Sequence, residues 1–226
     1  ERMAEEFIDK GYDQAVETLG SLIVAGRAGQ KIDVLQHVRD SCAKLNVDLA
    51  ALRCVHIAGT KGKGSTSSYT ERILREAGYK TGLYTSPHLV DVRERFRVNG
   101  QVLSKERFSG HFWRCHGALM SGGSDLNFFH FLTVLGFYIF QEEKVEACVV
   151  EVGLGGRLDA TNALPSPVVC GITLLDMDHV ALLGDTLDAI AREKAGIMKK
   201  GVPCITVHGQ RGDALAALRE VAERVG

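Results

Sequence analysis

"GTKGKGS", residues Gly59 to Ser65, follows the apolar run "CVHIA" (54–58) and leads into "TSSYTERILREAG" (66–78). A short apolar strand, a glycine-rich loop and a helix are the order in which a chain builds a phosphate cradle. Backbone N–H groups of such a loop, with the positive end of the following helix, attract anionic oxygen atoms. Gly59, Gly62 and Gly64 permit close backbone approach. Lys63 can reach the outer phosphates, and Ser65 and Thr66 add hydroxyls. The general P-loop spacing would place a glycine at position 57 and a hydroxyl at 64. Ile57 and Gly64 stand there instead, so the loop is a variant of that pattern or a plain turn.

Downstream, strand and helix patterns alternate. "KTGLYTS" (80–86) is a strand ended by Pro87. "RERFRVNGQVLS" (93–104) has period-two apolar residues on both sides of Asn99-Gly100, a strong hairpin signal. "SKERFSGHFWRCHGALM" (104–120) reads as a helix with Ser104 as N-cap, "MSGGSD" (120–125) as a loop, and "LNFFHFLTVLGFYIFQEE" (126–143) as a long apolar helix. "EACVVEVG", "PVVCGITLL" and "VPCITVH" are three further apolar strands. Between the last two, "GDTLDAIAREKAGIMKKG" (184–201) reads as a helix with Asp185 near its start and lysines at its end. "GDALAALREVAERVG" is a closing amphipathic helix. Upstream of the loop, "YDQAVETLGSL" and "KIDVLQHVRDSCAKL" are helix candidates separated by the glycine-containing "AGRAGQ". Continuous apolar strands imply a sheet covered on both faces. The predicted fold is α/β, a mostly parallel sheet flanked by helices, with one small β-hairpin.

Composition narrows the function. The chain has 226 residues with 27 Lys+Arg against 28 Asp+Glu, a net charge of −1. This balance gives no electrostatic ground for nucleic acid or an anionic membrane as partner. "FLTVLGFYIF" is too short for a membrane span. The six cysteines stand singly, with no C-x-x-C pair, which predicts reduced, buried thiols rather than a zinc site. Glu1 in place of Met is read as a trimmed or processed start.

"HIAGTKGKGST" resembles the nucleotide loop of the Mur ligase superfamily, in its folylpolyglutamate synthase form G-T-x-G-K-G-S. Four further stretches resemble that family in the same order: "YTSPHLVDVRERFRVNGQ", "VVEVGLGGRLDATN", "DMDHVALLGDT" and "REKAGIMK". Together they run from Cys54 to about Val207.

The resemblance implies a Mur ligase central-domain type of P-loop fold. It also implies an ATP-dependent ligase that joins L-glutamate to the γ-carboxyl of a folate through an acyl-phosphate. Gly59, Thr60, Lys61, Gly62, Lys63, Gly64, Ser65 and Thr66 would form the nucleotide loop, with Lys63 on the β- and γ-phosphates and Lys61 facing solvent. Ser86, Glu151 and His179 would hold Mg2+. Taken singly, Glu151 reads as a helix-cap partner and His179 as a satisfied loop histidine; the joint pattern favours the metal. Lys194 matches the lysine often carbamylated in this superfamily, which would serve a second magnesium; its alternative is a helix-surface lysine. Lys63, His179 and Lys194 are the implied catalytic set. Pro87, His88, Phe128, Phe129, Asp159, Ala160 and Asn162 would line the site of the pterin-bearing substrate, with at least one phenylalanine in the core instead. The family's T-x-F-E is replaced here by "NFFH", with Asn127 and His130, which leaves acceptor preference open.

The expected organisation is therefore an N-terminal ATPase and folate-binding domain over 1–226, with the C-terminal glutamate-binding domain absent from this chain and ligase activity absent with it. Dihydrofolate synthase, or an enzyme performing both reactions, shares these motifs. A non-catalytic nucleotide-binding module is the reading from another class. The resemblance further implies a monomer in the cytoplasm, a mitochondrion or another organelle.

Overall fold

The computed structural model describes residues 10–24, 33–121 and 126–226. The "AGRAGQ" stretch and the "MSGGSD" loop from residue 122 lie outside the described residues. Two helices, α1 (Tyr12–Val24) and α2 (Val34–Lys44), precede β1 (Cys54–Ala58) and α3 (Lys63–Glu76). Then follow β2 (Thr81–Tyr84), a 3-10 turn (Val92–Arg95), β3 (Phe96–Val98) and β4 (Gln101–Val102). Next come α4 (Lys105–Ser121), α5 (Phe128–Glu142), β5 (Ala147–Glu151) and a second 3-10 turn (Ala160–Ala163). β6 (Val169–Ile172), α6 (Val180–Leu183), α7 (Leu187–Ala195), β7 (Cys204–Thr206) and α8 (Gly212–Val225) complete the order.

The seven strands form one sheet in the order β4-β3-β2-β5-β1-β6-β7. β2, β5, β1, β6 and β7 run parallel, and β3 and β4 add an antiparallel hairpin at one edge. Asn99 (φ 50°) and Gly100 (φ 70°) both take positive φ, as a two-residue hairpin turn of matching twist requires. The predicted fold class is therefore the observed one.

Strand alternation sorts the core into two faces. Cys54, Tyr84, Cys148 and Val150 face a large cluster with Phe96, Phe108, Phe112, Phe131 and Phe137, contributed by the hairpin, α4 and α5. Ala58, Cys170 and Ile172 pack on α7 and α8. On the opposite face Ile57, Leu83 and Val149 lie under Leu74 of α3. The expectation that both faces are covered holds only as far as α3 extends. Beyond it, Val55, Ile57, Val169, Gly171 and Ile205 line an open cleft of about 320 Å³, and Ile205 is 66% exposed.

Smaller departures have local causes. The period-two pattern at Arg93–Arg95 forms a 3-10 turn, because Asp91 and Glu94 close a capping box around it. α7 starts from Thr186, whose hydroxyl accepts from Ala189 N–H, rather than from Asp185. It ends at Ala195, so Lys199 and Lys200 lie beyond it. Ser104 caps α4 as predicted, accepting from Arg107 N–H at 3.2 Å. All six cysteines are free, five of them buried. Among the described residues no helix is long and apolar enough to cross a membrane.

Candidate functional site

The glycine loop leaves the C-terminal end of the central strand β1, the edge at which open parallel sheets bind ligands. Gly59 has φ +148°, and a β-carbon there would stand 1.8 Å from Thr173 Oγ1. The front of the loop is tied down: Thr60 and Lys61 N–H both donate to Leu174 C=O, at 3.1 and 3.0 Å. Thr60 Oγ1 donates to Asp176 C=O, and the Lys61 ammonium, 64% exposed, pairs with the Asp176 carboxylate. The free donors of the cradle are thus further along. Gly62 (φ +85°) caps α3 without a side-chain bond, and the first helical bond runs from Thr66 N–H to Gly62 C=O at 2.9 Å. The N–H groups of Lys63, Gly64 and Ser65 precede that bond and are left unsatisfied by the helix, at its positive end.

That helix start meets a carboxylate. A β-carbon on Gly64 would lie 3.6 and 3.8 Å from the two Glu151 oxygen atoms. Glu151 ends β5 and is 4% exposed. Its one hydrogen bond among the described residues comes from Ser86 N–H at 3.1 Å. Burial raises its pKa, opposed by the Ser86 N–H and by the charges of Lys63 and Arg95. A desolvated carboxylate without a cation in contact, beside a serine and a phosphate-type cradle, is a donor set that fits a hard oxygen-seeking cation such as magnesium. Ser86 and Glu151 are therefore adjacent. His179 stands on a different segment. It takes a left-handed conformation (φ 49°) at the start of α6 and contacts Asp178, with Nε2 3.6 Å from that carboxylate. Among the described residues no cluster of three His, Cys, Asp or Glu side chains could hold a metal.

Lys194 is buried in the last turn of α7 and donates from Nζ to Gly59 C=O at 2.9 Å. Its pKa falls to about 8, first by burial and then by the charge of Lys63, with Asp178 and Asp159 opposing. It is not the helix-surface lysine of the alternative reading. α7 is held where it is by glycines: a β-carbon on Gly156 would stand 2.8 Å from the carbonyl oxygens of Glu193 and Lys194.

The substrate-lining set divides. Pro87 follows a cis peptide bond and is exposed. His88 Nδ1 accepts from Arg95 Nε at 2.8 Å, and burial with the Arg95 charge lowers its pKa. Phe128 lies 5.9 Å from the Arg95 guanidinium, and Phe129 packs so closely on Gly153 that a β-carbon there would be 2.4 Å away. Asp159, Ala160 and Asn162, expected to line the site, are buried at 7, 1 and 3% exposure. Asp159 accepts from the N–H groups of Gly153, Leu154 and Thr161. Asn162 donates to the carbonyls of Arg157 and Gly196 and accepts from Lys199. These bonds of Asp159 and Asn162 knit the glycine-rich segment together and tie it to the end of α7. The "NFFH" departure also has a structural account, since Asn127 caps α5 by accepting from His130 N–H at 2.9 Å.

Arg95 was missed. It is 6% exposed, and among the described residues its Nη1 has no hydrogen-bond partner and no carboxylate pairs with it. Three arginines alternate in "RERFR", and only tertiary packing buries this one.

No family model matches the chain. It is 47% identical over 220 residues to a folylpolyglutamate synthase of Arabidopsis thaliana, covering 93% of this chain and 38% of that protein. It is 45% identical over 234 residues to a mitochondrial folylpolyglutamate synthase of Bos taurus, covering 96% and 40%. Among solved structures, the apo form of the L. casei folylpolyglutamate synthase superposes with TM-score 0.87 at 30% identity, over 96% of this chain and 52% of that one. A complex of such an enzyme with AMPPCP and folate gives 0.87 at 29%, with the same coverage. E. coli FolC with DHPP and ADP gives 0.82 at 35%, over 94% and 50%. The chain thus spans about half the length of these structures and less of the curated relatives.

Proposed function

Because this chain is a homologue of folylpolyglutamate synthase that spans 38–40% of its relatives' length, we propose that it is the ATP- and acceptor-binding part of a ligase that adds L-glutamate to the γ-carboxyl of a folate. The observation that carries this reading is the meeting of the α3 start with Glu151 across Gly64. An anion-binding helix end and a buried carboxylate at one sheet edge are complementary to a metal-bound triphosphate.

In the reaction the acceptor carboxylate takes the γ-phosphoryl group of ATP, and the amino group of glutamate then displaces phosphate. Magnesium, when bound, neutralises charge between the two anions. Ser86 and Glu151 would hold it. The N–H groups of Lys63, Gly64 and Ser65 bind phosphate oxygens, and the Lys63 ammonium offsets charge at the β- and γ-phosphates. Thr173 and Leu174 fix the loop from behind. Lys194, with its pKa lowered to about 8, gives up its proton more readily than a free lysine to supply the amine that a carbamate needs, and as a carbamate it would serve a second magnesium. His179 would complete the metal set, a role that rests on the resemblance.

Calorimetry of this chain with ATP and magnesium tests the cradle. Saturable, magnesium-dependent binding is expected, weakened roughly 10- to 100-fold in Lys63→Ala. Full-length protein offered folate or dihydropteroate with glutamate and ATP then separates folylpolyglutamate synthase from dihydrofolate synthase. ATP binding with no turnover on either acceptor would sink the ligase reading in favour of a binding module.

A further inference from the structure

Arg95 ends the 3-10 turn before β3, and its carbonyl accepts from Thr85 N–H at the end of β2. This folds its side chain into the sheet edge beneath the segment that carries Ser86, Pro87 and His88. Nε is held by His88 Nδ1 at 2.8 Å, and the guanidinium plane is set against Phe128. Nη1 is enclosed and unpartnered. A guanidinium this deep is ordinarily matched by a carboxylate or phosphate, taken by its fork of donors. The protein offers it neither: the carboxylate nearest in effect, Glu151, is hydrogen-bonded to Ser86 instead. The two carboxylates near it along the chain are also committed, Asp91 to Arg93 and Glu94 to the N–H groups of Leu89, Val90 and Asp91.

The guanidinium stands beside the Phe128 ring, and its charge acts on Glu151, the carboxylate that meets the start of α3. We propose that Arg95 is a substrate-positioning residue, whose Nη1 edge takes a carboxylate oxygen of the acceptor while His88 fixes the guanidinium. This rests on the ligase reading above and adds to it the residue that would select a carboxylate-bearing acceptor over an uncharged one. His88 is then the acceptor, through Nδ1, that fixes Arg95 Nε.

The test uses the full-length protein and equilibrium binding of folate and of its carboxyl-amidated analogue, in wild type, Arg95→Gln and Arg95→Lys. Wild type should bind folate more tightly than the amide. Arg95→Gln should lose roughly 10- to 100-fold in folate affinity, lose little for the amide, and keep its ATP affinity within about two-fold. Arg95→Lys, which keeps the charge, should fall between. Equal folate binding by wild type and Arg95→Gln overturns the proposal, and so does an equal loss for folate and amide. A parallel loss of ATP affinity and melting temperature would mark Arg95 as scaffolding only, and also overturns it. Should the variants not fold, wild type binding folate and amide alike is sufficient to reject it. Wild type that binds no folate at all instead overturns the ligase reading itself.

Discussion

Lys194 is a buried ammonium whose hydrogen bond goes to a carbonyl and whose nearest charge is another lysine. Its pKa of about 8, against 10.5 for the free side chain, makes it a titration probe. Below pH 8 the folded state bears the cost of the desolvated charge. As pH rises from about 8 towards 10.5 the folded form releases its proton first, so the residue's contribution to stability improves across that window. Lys194→Met should therefore melt higher than wild type at pH 7, and the gap should narrow by pH 10; differential scanning fluorimetry across that range checks it. A gap that widens with pH would be inconsistent with a depressed pKa. At this scale the sequence was legible where chemistry sits in short contiguous motifs. Lys63 was marked by the loop pattern itself, whereas Ser86 and Glu151 were named through the resemblance. Arg95 and the buried roles of Asp159 and Asn162 were not legible, since no local pattern says which of several polar groups turns inward.

The helix that carries the cradle is itself anchored from behind. Glu71 of α3 is 4% exposed and accepts from Thr81 Oγ1 of β2 at 2.5 Å and from Arg75 Nε at 3.1 Å. Replacing it with alanine leaves the Thr81 hydroxyl buried without that acceptor, at a cost of about 1–3 kcal/mol. Glu71→Ala should lower the urea midpoint accordingly and weaken ATP binding, because α3 can then shift relative to Glu151. An unchanged midpoint would show that Leu74 packing alone holds the helix. Elements of this kind were readable from periodicity: strands by their apolar runs, the hairpin by Asn99-Gly100, long helices by their caps. The 3-10 turns and α6 were not, because each is a single turn fixed by side-chain caps rather than by a repeating pattern.

Across the molecule, one face of the sheet varies along its width in what it can lose. Leu83 lies under α3 at 1% exposure, and Ile205 on the same face lies in the open cleft at 66%. Leu83→Ala should cost about 2–5 kcal/mol, whereas Ile205→Ser should stay within about 0.5 kcal/mol. Thermal melts of both variants of this chain compare them directly, and a large loss for Ile205→Ser would mean that the strip is covered in solution. Coverage was the global property that composition overstated, since apolar strands report what a sheet could bury and not which helices arrive to bury it.

The central strand also sets a schedule. β1 finds its first partner in β5, with Cys54 and Cys148 94 residues apart, and its second in β6, later still. The groups that clamp the glycine loop, Thr173, Leu174 and Lys194, are made after both. A nascent chain therefore carries the whole of "GTKGKGS" out of the ribosome long before the loop has a shape. Its shape arrives late in this stretch of synthesis, once Thr173, Leu174 and Lys194 are in place behind it.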